Sequence, residues 1–178
     1  MTLDITDPAL RCAGCGRTVA QSDYRLVDGE PVCHRCLFGD APPLPVWPIG
    51  VVRSQIARAG TGTQIGRDTN SEIHLVPGME RFLSGVADET SLTVIWYAHE
   101  ARDLQTTFAR GVDGKIVGPF AARTPARPNG LAITDVRLLE VRGLVLVVGG
   151  LDAMDGTPVL DLKVGRESLA RIGARVTF

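Results

Sequence analysis

The stretch LVLVVGGLDAMDGTPVLDLKV, residues 144–164, decides the fold class. Leu144–Gly150 is a short apolar run rich in valine, and Val159–Val164 alternates apolar and polar residues with period two, as a half-buried strand does. Between them Asp155-Gly156-Thr157-Pro158 is turn chemistry. Working outward, Leu131–Val141 precedes the first run across Arg142-Gly143, and Ser91–His99 (SLTVIWYAH) is dense in β-branched and aromatic residues. Phe120–Arg123, Glu72–Val76 and Trp47–Ser54 (WPIGVVRS) read as further strands. Short helices are expected only over Gly78–Gly85 and Arg166–Ile172. Many short strands punctuated by glycine and proline imply a mainly β domain, a closed barrel or a sandwich. Ala59-Gly60-Thr61-Gly62-Thr63 lacks the third glycine and the following helical pattern of a dinucleotide-binding turn, so it reads as a loop and a Rossmann fold is disfavoured.

Upstream the character changes. Ala41-Pro42-Pro43-Leu44-Pro45 cannot continue a helix or a central strand and makes a semi-rigid spacer. The expected organisation is therefore a small module over 1–40, a linker over 41–46 and the β domain over 47–178. All four cysteines lie in the small module: Cys12, Cys15, Cys33 and Cys36 form two C-x-x-C pairs separated by seventeen residues. Each pair offers two sulfurs from one tight turn, and two such knuckles complete a tetrahedron around zinc. Gly14 and Gly16 suit the first turn, and Asp28-Gly29 between Tyr24–Val27 and Pro31-Val32 signals a hairpin. The segment is too short to bury its own core, and structural zinc contributes roughly 10–16 kcal/mol of apparent binding energy in finger peptides. Four thiolates close the coordination shell, so the expected zinc is structural. His34, inside the second knuckle, is either an alternative ligand or an exposed side chain.

A net charge of −1 does not announce a nucleic-acid binder. Residues 1–46 carry four Arg against six acids, while 47–178 carry fifteen basic residues against fourteen acids, and only Lys115 and Lys163 are lysines. Met1–Leu10 has two acidic residues and no apolar run, and Leu144–Leu151 is too short to span a bilayer. The expectation is a cytoplasmic protein whose cysteines stay reduced.

Three segments could carry chemistry. PIGVVRS (48–54) ends an apolar strand in Arg53 and Ser54. FAARTPARPNG (120–130) sets Arg123 and Arg127 four residues apart in a loop stiffened by prolines, which lowers the ordering cost of binding a ligand. GGLDAMDGTPVLDLK (149–163) gathers Asp152, Asp155 and Asp161 around a Gly-Thr-Pro turn. Carboxylates there could hold an ammonium or a ribose hydroxyl, and an Arg could hold a carboxylate in bidentate fashion. The same residues also read as a plain β-turn braced by Asp152, with the two arginines paired to the acids. His74 and His99 lie in or beside strands, where histidines also occur as packed or surface groups.

Taken together, PIGVVRS (48–54), TVIWYAHE (93–100), FAARTPARPN (120–129) and LDAMDGTPVLDLK (151–163) resemble the TrmO (TsaA-type) family in order and separation over residues 47–164. The resemblance implies a single-sheeted β-barrel that binds S-adenosylmethionine, a homodimer formed through the barrel, and methylation of N6 of threonylcarbamoyladenosine beside the tRNA anticodon. It places Arg53 and Ser54 in a first ligand-lining segment, and Arg123, Thr124, Arg127, Pro128 and Asn129 in the cofactor loop. Asp152, Asp155, Gly156, Thr157, Pro158, Asp161 and Lys163 fall in the last motif. Asp155 or His99 is the candidate acceptor of the N6 proton. The chain departs from the family pattern where Gly130 follows RPN in place of proline, and where Val164-Gly165 follows the final lysine. The cysteine module lies outside the resemblance. Alternatives are a methyltransferase of the same fold acting on a small molecule or another RNA, and a non-catalytic ligand-binding or docking module.

Overall fold

The computed structural model describes residues 10–20, 22–55, 69–101 and 103–171. The expected loop at 59–63 and the end of the last helix at Ile172 lie outside the described residues. In chain order the elements are β1 (Tyr24–Val27), β2 (Glu30–Cys33), α1 (His34–Phe38), β3 (Gly50–Arg53), β4 (Asn70–Leu75), β5 (Ser91–Tyr97), β6 (Asp103–Leu104), β7 (Phe108–Ala109), β8 (Ile116–Val117), β9 (Leu131–Arg142), β10 (Val145–Gly149), β11 (Pro158–Val164) and α2 (Arg166–Arg171). Single 3-10 turns occupy Met79–Phe82, Val86–Asp88 and Pro119–Ala121. The strand expected at Phe120–Arg123 is thus a turn: Pro119 stands at its first position and Ala121 N–H donates to Gly118 C=O at 3.0 Å. No helix among the described residues is long and apolar enough to cross a membrane.

The chain divides into two compact units, Met1–Leu44 with Ala101–Asn129 and Pro45–Glu100 with Gly130–Phe178. The second unit is the expected mainly β domain. Among the described residues, six strands close into one antiparallel barrel in the order β10-β4-β3-β11-β5-β9, with β9 returning to β10. Alternate residues point inward, and Val52, Ile73, Val94, Leu146, Val148 and Val159 are fully buried there. Closure removes the sheet edges that would otherwise template aggregation.

A bulge in β11 sets the phase of the last motif. Val159 faces Trp96, but Asp161, not Leu160, faces Ile95. Without the extra residue, Asp161 and Lys163 would share the core side with Val159, because directly paired residues share a face. With it, Leu162 pairs with buried Val94 and takes the inward side, while Asp161 and Lys163 take the outward side. At the end of β11, buried Ser168 docks α2 onto β5: its Oγ accepts N–H bonds from Thr90 and Ser91 at 3.0 Å, and its own N–H donates to Ser91 Oγ at 3.0 Å.

The first unit is the cysteine module joined by a segment remote in sequence. β1 and β2 form a hairpin in register from Tyr24↔Cys33 to Val27↔Glu30. Its turn is Asp28-Gly29, with φ of +51° and +82°, the two positive values that a tight hairpin turn requires. β6 adds to β1 in parallel, Leu26↔Asp103 and Val27↔Leu104, giving a three-stranded sheet. Residues 101–129, hereafter the arm, therefore group with the cysteine module, whereas the sequence reading assigned everything from residue 47 onward to one domain. The arm also holds the small β7–β8 ladder. It is an insertion between paired strands: Tyr97 of β5 faces Leu131 of β9, and Ala98 N–H donates to Gly130 C=O at 2.8 Å.

Candidate functional site

In the barrel unit the last motif is tied to the end of β3. Gly156 N–H donates to Val52 C=O and Val52 N–H to Thr157 C=O, both at 2.9 Å. Gly156 has a φ of +79°, which glycine adopts without strain. This stitching brings Arg53, Ser54, Asp155, Gly156 and Thr157 together. The Asp155 carboxylate accepts the Ser54 N–H at 3.1 Å, and its other oxygen lies 3.6 Å from Arg53 Nη1. Arg53 and Asp155 are both about half exposed, so the pair orients the carboxylate more than it stabilises the fold.

Asp152 is held from a different direction. Trp96 Nε1–H donates to Thr134 Oγ1 at 3.1 Å, and that hydroxyl donates to Asp152 Oδ1 at 2.5 Å. Because the indole can only donate, it directs the threonine proton toward the carboxylate. Trp96 and Thr134 were not among the sequence-derived site residues; the available signal is that a buried tryptophan N–H requires an acceptor. Asp161 and Lys163 stand apart from this cluster. They bond each other at 2.7 Å and line a cavity of about 590 Å³ with Met79, Phe82, Leu83 and Val86.

Three buried polar side-chain atoms have no partner among the described residues: Ser71 Oγ, His99 Nδ1 and Thr157 Oγ1. Two of the three fall on residues singled out from the sequence. Thr157 is 1% exposed, and an unpaired hydroxyl at such depth is costly unless a ligand meets it. The other ring nitrogen of His99 lies 3.7 Å from the Glu100 carboxylate. His74 is engaged on the outer face of β4, where Glu72 accepts from its Nε2 at 2.7 Å and from Arg142 at 3.0 Å. First His74 and then Arg142 hold the Glu72 carboxyl below its ordinary range.

The remaining candidates lie on the arm. Arg127 is turned inward on its own loop: its Nη1 donates to Pro119 C=O at 2.8 Å and Ala122 C=O at 2.9 Å, and its guanidinium lies 5.7 Å from the Phe120 ring centre. Thr124 Oγ1 accepts the Ala126 N–H at 3.3 Å. Arg123 and Thr124 line a cavity of about 640 Å³ with Phe108, Arg110 and Phe120. Pro128 is half-buried and Asn129 exposed. Gly130, which closes the arm, has a φ of +62°, and a Cβ there would stand 2.7 Å from the Tyr97 ring. Proline, whose φ is fixed near −65°, cannot occupy this position in this chain.

The four cysteine sulfurs all lie within 4.8 Å of one another. Cys15 and Cys33 Sγ are 3.9 Å apart, the spacing of two corners of a tetrahedron around zinc with bonds of about 2.3 Å. The first knuckle is closed by Gly16 N–H to Cys12 C=O at 2.8 Å, with Gly16 at a φ of +70°. Gly14 serves otherwise: a Cβ there would press to 3.2 Å from Cys36 Sγ. Cys33 N–H donates to Cys12 Sγ at 3.2 Å, and chiefly this bond lowers the Cys12 thiol to about 6. Arg17, through its N–H and then its guanidinium, lowers Cys15, while the neighbouring sulfurs push Cys36 up to about 12. Soft thiolates in this arrangement fit Zn²⁺. His34 is exposed, with its ring tilted against Phe38 and outside the sulfur cluster.

Comparison with known proteins agrees with the barrel geometry. The family model of the tRNA-methyltransferase O N-terminal domain matches residues 54–166. A probable S-adenosyl-L-methionine-binding protein of Methanothermobacter thermautotrophicus is 37% identical over 129 residues, 71% of this chain and 93% of that one. The mouse tRNA (adenine(37)-N6)-methyltransferase is 42% identical over 52 residues, 29% of this chain and 12% of that enzyme. The crystal structure of TrmO from Pseudomonas aeruginosa aligns with a TM-score of 0.54 and 26% identity, over 69% of this chain and 56% of that one. The chain thus spans nearly all of the archaeal relative but little more than half of the solved TrmO chain. On the matched residues and the barrel they form, the chain belongs to the tRNA-methyltransferase O (TrmO) family.

Proposed function

We propose that this protein, as an S-adenosylmethionine-dependent methyltransferase of the TrmO family, methylates N6 of threonylcarbamoyladenosine beside the tRNA anticodon. The observation that supports it most is the cluster at the end of β3: a braced, half-exposed Asp155 carboxylate beside a buried Thr157 hydroxyl with no partner among the described residues. S-adenosylmethionine, when bound, supplies an electrophilic methyl group on a sulfonium. The chain's residues bind, orient and exclude water. Asp152, fixed by Thr134, and Asp155, fixed by Ser54, are suited to the ammonium or ribose hydroxyls. Arg123 offers a guanidinium for a carboxylate, and Arg127 keeps the 120–129 loop in one conformation. Alignment of acceptor and methyl can supply much of the rate, because positioning replaces a bimolecular encounter. Asp155 or His99 takes the N6 proton: the Asp155 carboxylate is half exposed, and His99 Nδ1 has no partner among the described residues.

The thiol cluster holds a structural Zn²⁺, with no coordination position left for a substrate. The homodimer is proposed to form through the barrel, whose β9 presents Leu131, Ile133 and Leu139 outward, at 47%, 59% and 45% exposure. The deciding experiment incubates the purified protein and methyl-labelled S-adenosylmethionine with threonylcarbamoyl-modified and unmodified tRNA. Label on the modified tRNA alone is expected. Cofactor binding without label on either tRNA would redirect the assignment to a small-molecule or other RNA acceptor, and absence of cofactor binding would leave a non-catalytic module.

A further inference from the structure

We propose that the zinc-ribbon hairpin is the platform that orders the arm carrying residues 120–129, with Asp28 as its positioning residue. The consequence for cofactor binding rests on the reading of that loop given above.

The arm has little to hold its own shape. Among its described residues only Leu104 is buried, and its strands are two residues long. A segment of this kind cannot offset its conformational entropy by burial. Its order comes from the hairpin. Leu104 is paired beside Val27, and Asp28 N–H donates to Leu104 C=O at 2.7 Å. The Asp28 carboxylate then accepts twice from Thr106, from its N–H at 2.9 Å and its Oγ1–H at 2.6 Å.

From Thr106 the contacts lead to the loop. The Thr106 carbonyl lies 3.3 Å from where a Gly118 Cβ would stand, so the arm folds back there against a residue without a side chain. Gly118 opens the turn at Pro119–Ala121. Arg110, anchored on Asp113, donates to Ala121 C=O at 3.1 Å, and Arg127 ties Pro119 and Ala122. At the opposite end of the hairpin Cys33, a member of the sulfur cluster, pairs with Tyr24. A two-stranded hairpin is marginal in water by itself. The metal end and the Asp28 end are therefore parts of one small structure, and the metal's work extends beyond residues 12–36.

The turn itself does not need the carboxylate. Asparagine also suits the left-handed position before glycine, and its amide oxygen can still accept from Thr106. Asp28→Asn is thus the conservative variant and Asp28→Ala the disruptive one, while Thr106→Val removes the hydroxyl from the arm side and leaves the hairpin untouched.

The test uses the full chain with zinc bound. Zinc content, the melting temperature of the barrel, amide hydrogen exchange over residues 104–129 and the Kd of S-adenosylmethionine by calorimetry are measured for the three variants and the wild type. For Asp28→Ala the expectation is unchanged zinc content and melting, exchange in the arm faster by about tenfold, and cofactor binding weaker by at least about fivefold. Asp28→Asn is expected to recover most of both effects, and Thr106→Val to reproduce part of them. Wild-type exchange in the arm of both Asp28→Ala and Thr106→Val overturns the proposal. Faster exchange with unaltered affinity overturns its link to the cofactor. If the wild type binds no S-adenosylmethionine, the cofactor reading of the loop fails, and the exchange measurement alone decides whether Asp28 holds the arm.

Discussion

Thr157→Val separates stability from ligand binding at one atom. Thr157 is 1% exposed and its Oγ1 has no partner among the described residues. Its backbone is fixed by Val52 N–H at 2.9 Å and by its own N–H to Met154 C=O at 3.2 Å, so the substitution leaves the loop's bonds intact. An unsatisfied buried hydroxyl costs about 1–3 kcal/mol, and valine replaces it with a methyl of nearly the same shape. The ligand-free variant should gain about 1 kcal/mol, which for a unit of this size raises the melting temperature by about 4 °C. Binding should move the other way. With S-adenosylmethionine at a hundred times Kd, the wild type gains about 2.7 kcal/mol by mass action, and the variant, lacking the hydroxyl, should gain less at the same concentration. Calorimetric melting of both proteins with and without the cofactor reads both quantities. A ligand-free variant that melts below the wild type would refute the reasoning, because the hydroxyl would then have a stabilising partner in the folded protein.

Removal of zinc by a strong chelator should expose residues 12–36 to protease while the barrel keeps its far-ultraviolet signal; unchanged protease resistance would count against a structural metal. Asp155→Ala and Arg127→Ala should both weaken S-adenosylmethionine binding, the first by loss of a braced carboxylate and the second through the freed Pro119 and Ala122 carbonyls; wild-type affinity in both would remove them from the site. Acid should loosen the arm early. Thr106 holds the Asp28 carboxyl below its ordinary range, first through its hydroxyl and then its N–H, so this tie is fully present above about pH 4 and is lost as pH falls through the lower folded value; exchange in the arm that is flat down to the acid unfolding of the whole chain would contradict it. Binding of modified tRNA should weaken steeply with salt, as phosphate contacts require, whereas a small-molecule acceptor would show no such slope in turnover.

The features legible in the sequence were those with a local signature. Two matched C-x-x-C pairs specify four sulfurs, and Asp28-Gly29 specifies a hairpin turn. Ser91–His99 declares itself a strand by β-branched and aromatic content, and Ser91–Tyr97 pairs with Leu131–Arg137 over seven residues. Other features depend on partners distant in the chain. A two-residue strand such as β6 has no periodicity to detect, so the grouping of the arm with the cysteine module was not visible. Phe120-Ala121-Ala122-Arg123 is apolar enough to suggest a strand, but Pro119 and the Gly118 acceptor make a turn. In β11 the period-two alternation expected over Val159–Val164 is interrupted by an extra residue at Leu160, which appears only in the pairing with β5. Thr134 and Trp96 sit on neighbouring strands, and neither carries a motif that points to Asp152.

The arm leaves and re-enters the barrel at one rung, between Ala98 and Gly130. For the barrel it is therefore a hairpin loop of unusual length, and doubling such a loop costs only about 0.6 kcal/mol of closure entropy. The Tyr97–Leu131 ladder can accept a tight turn or a folded insertion without a change in its pairing. This makes the rung a natural grafting point: the pairing of β5 with β9 does not depend on what is inserted after residue 98, so a swap there can be read for its effect on ligand binding separately from the folding of the barrel.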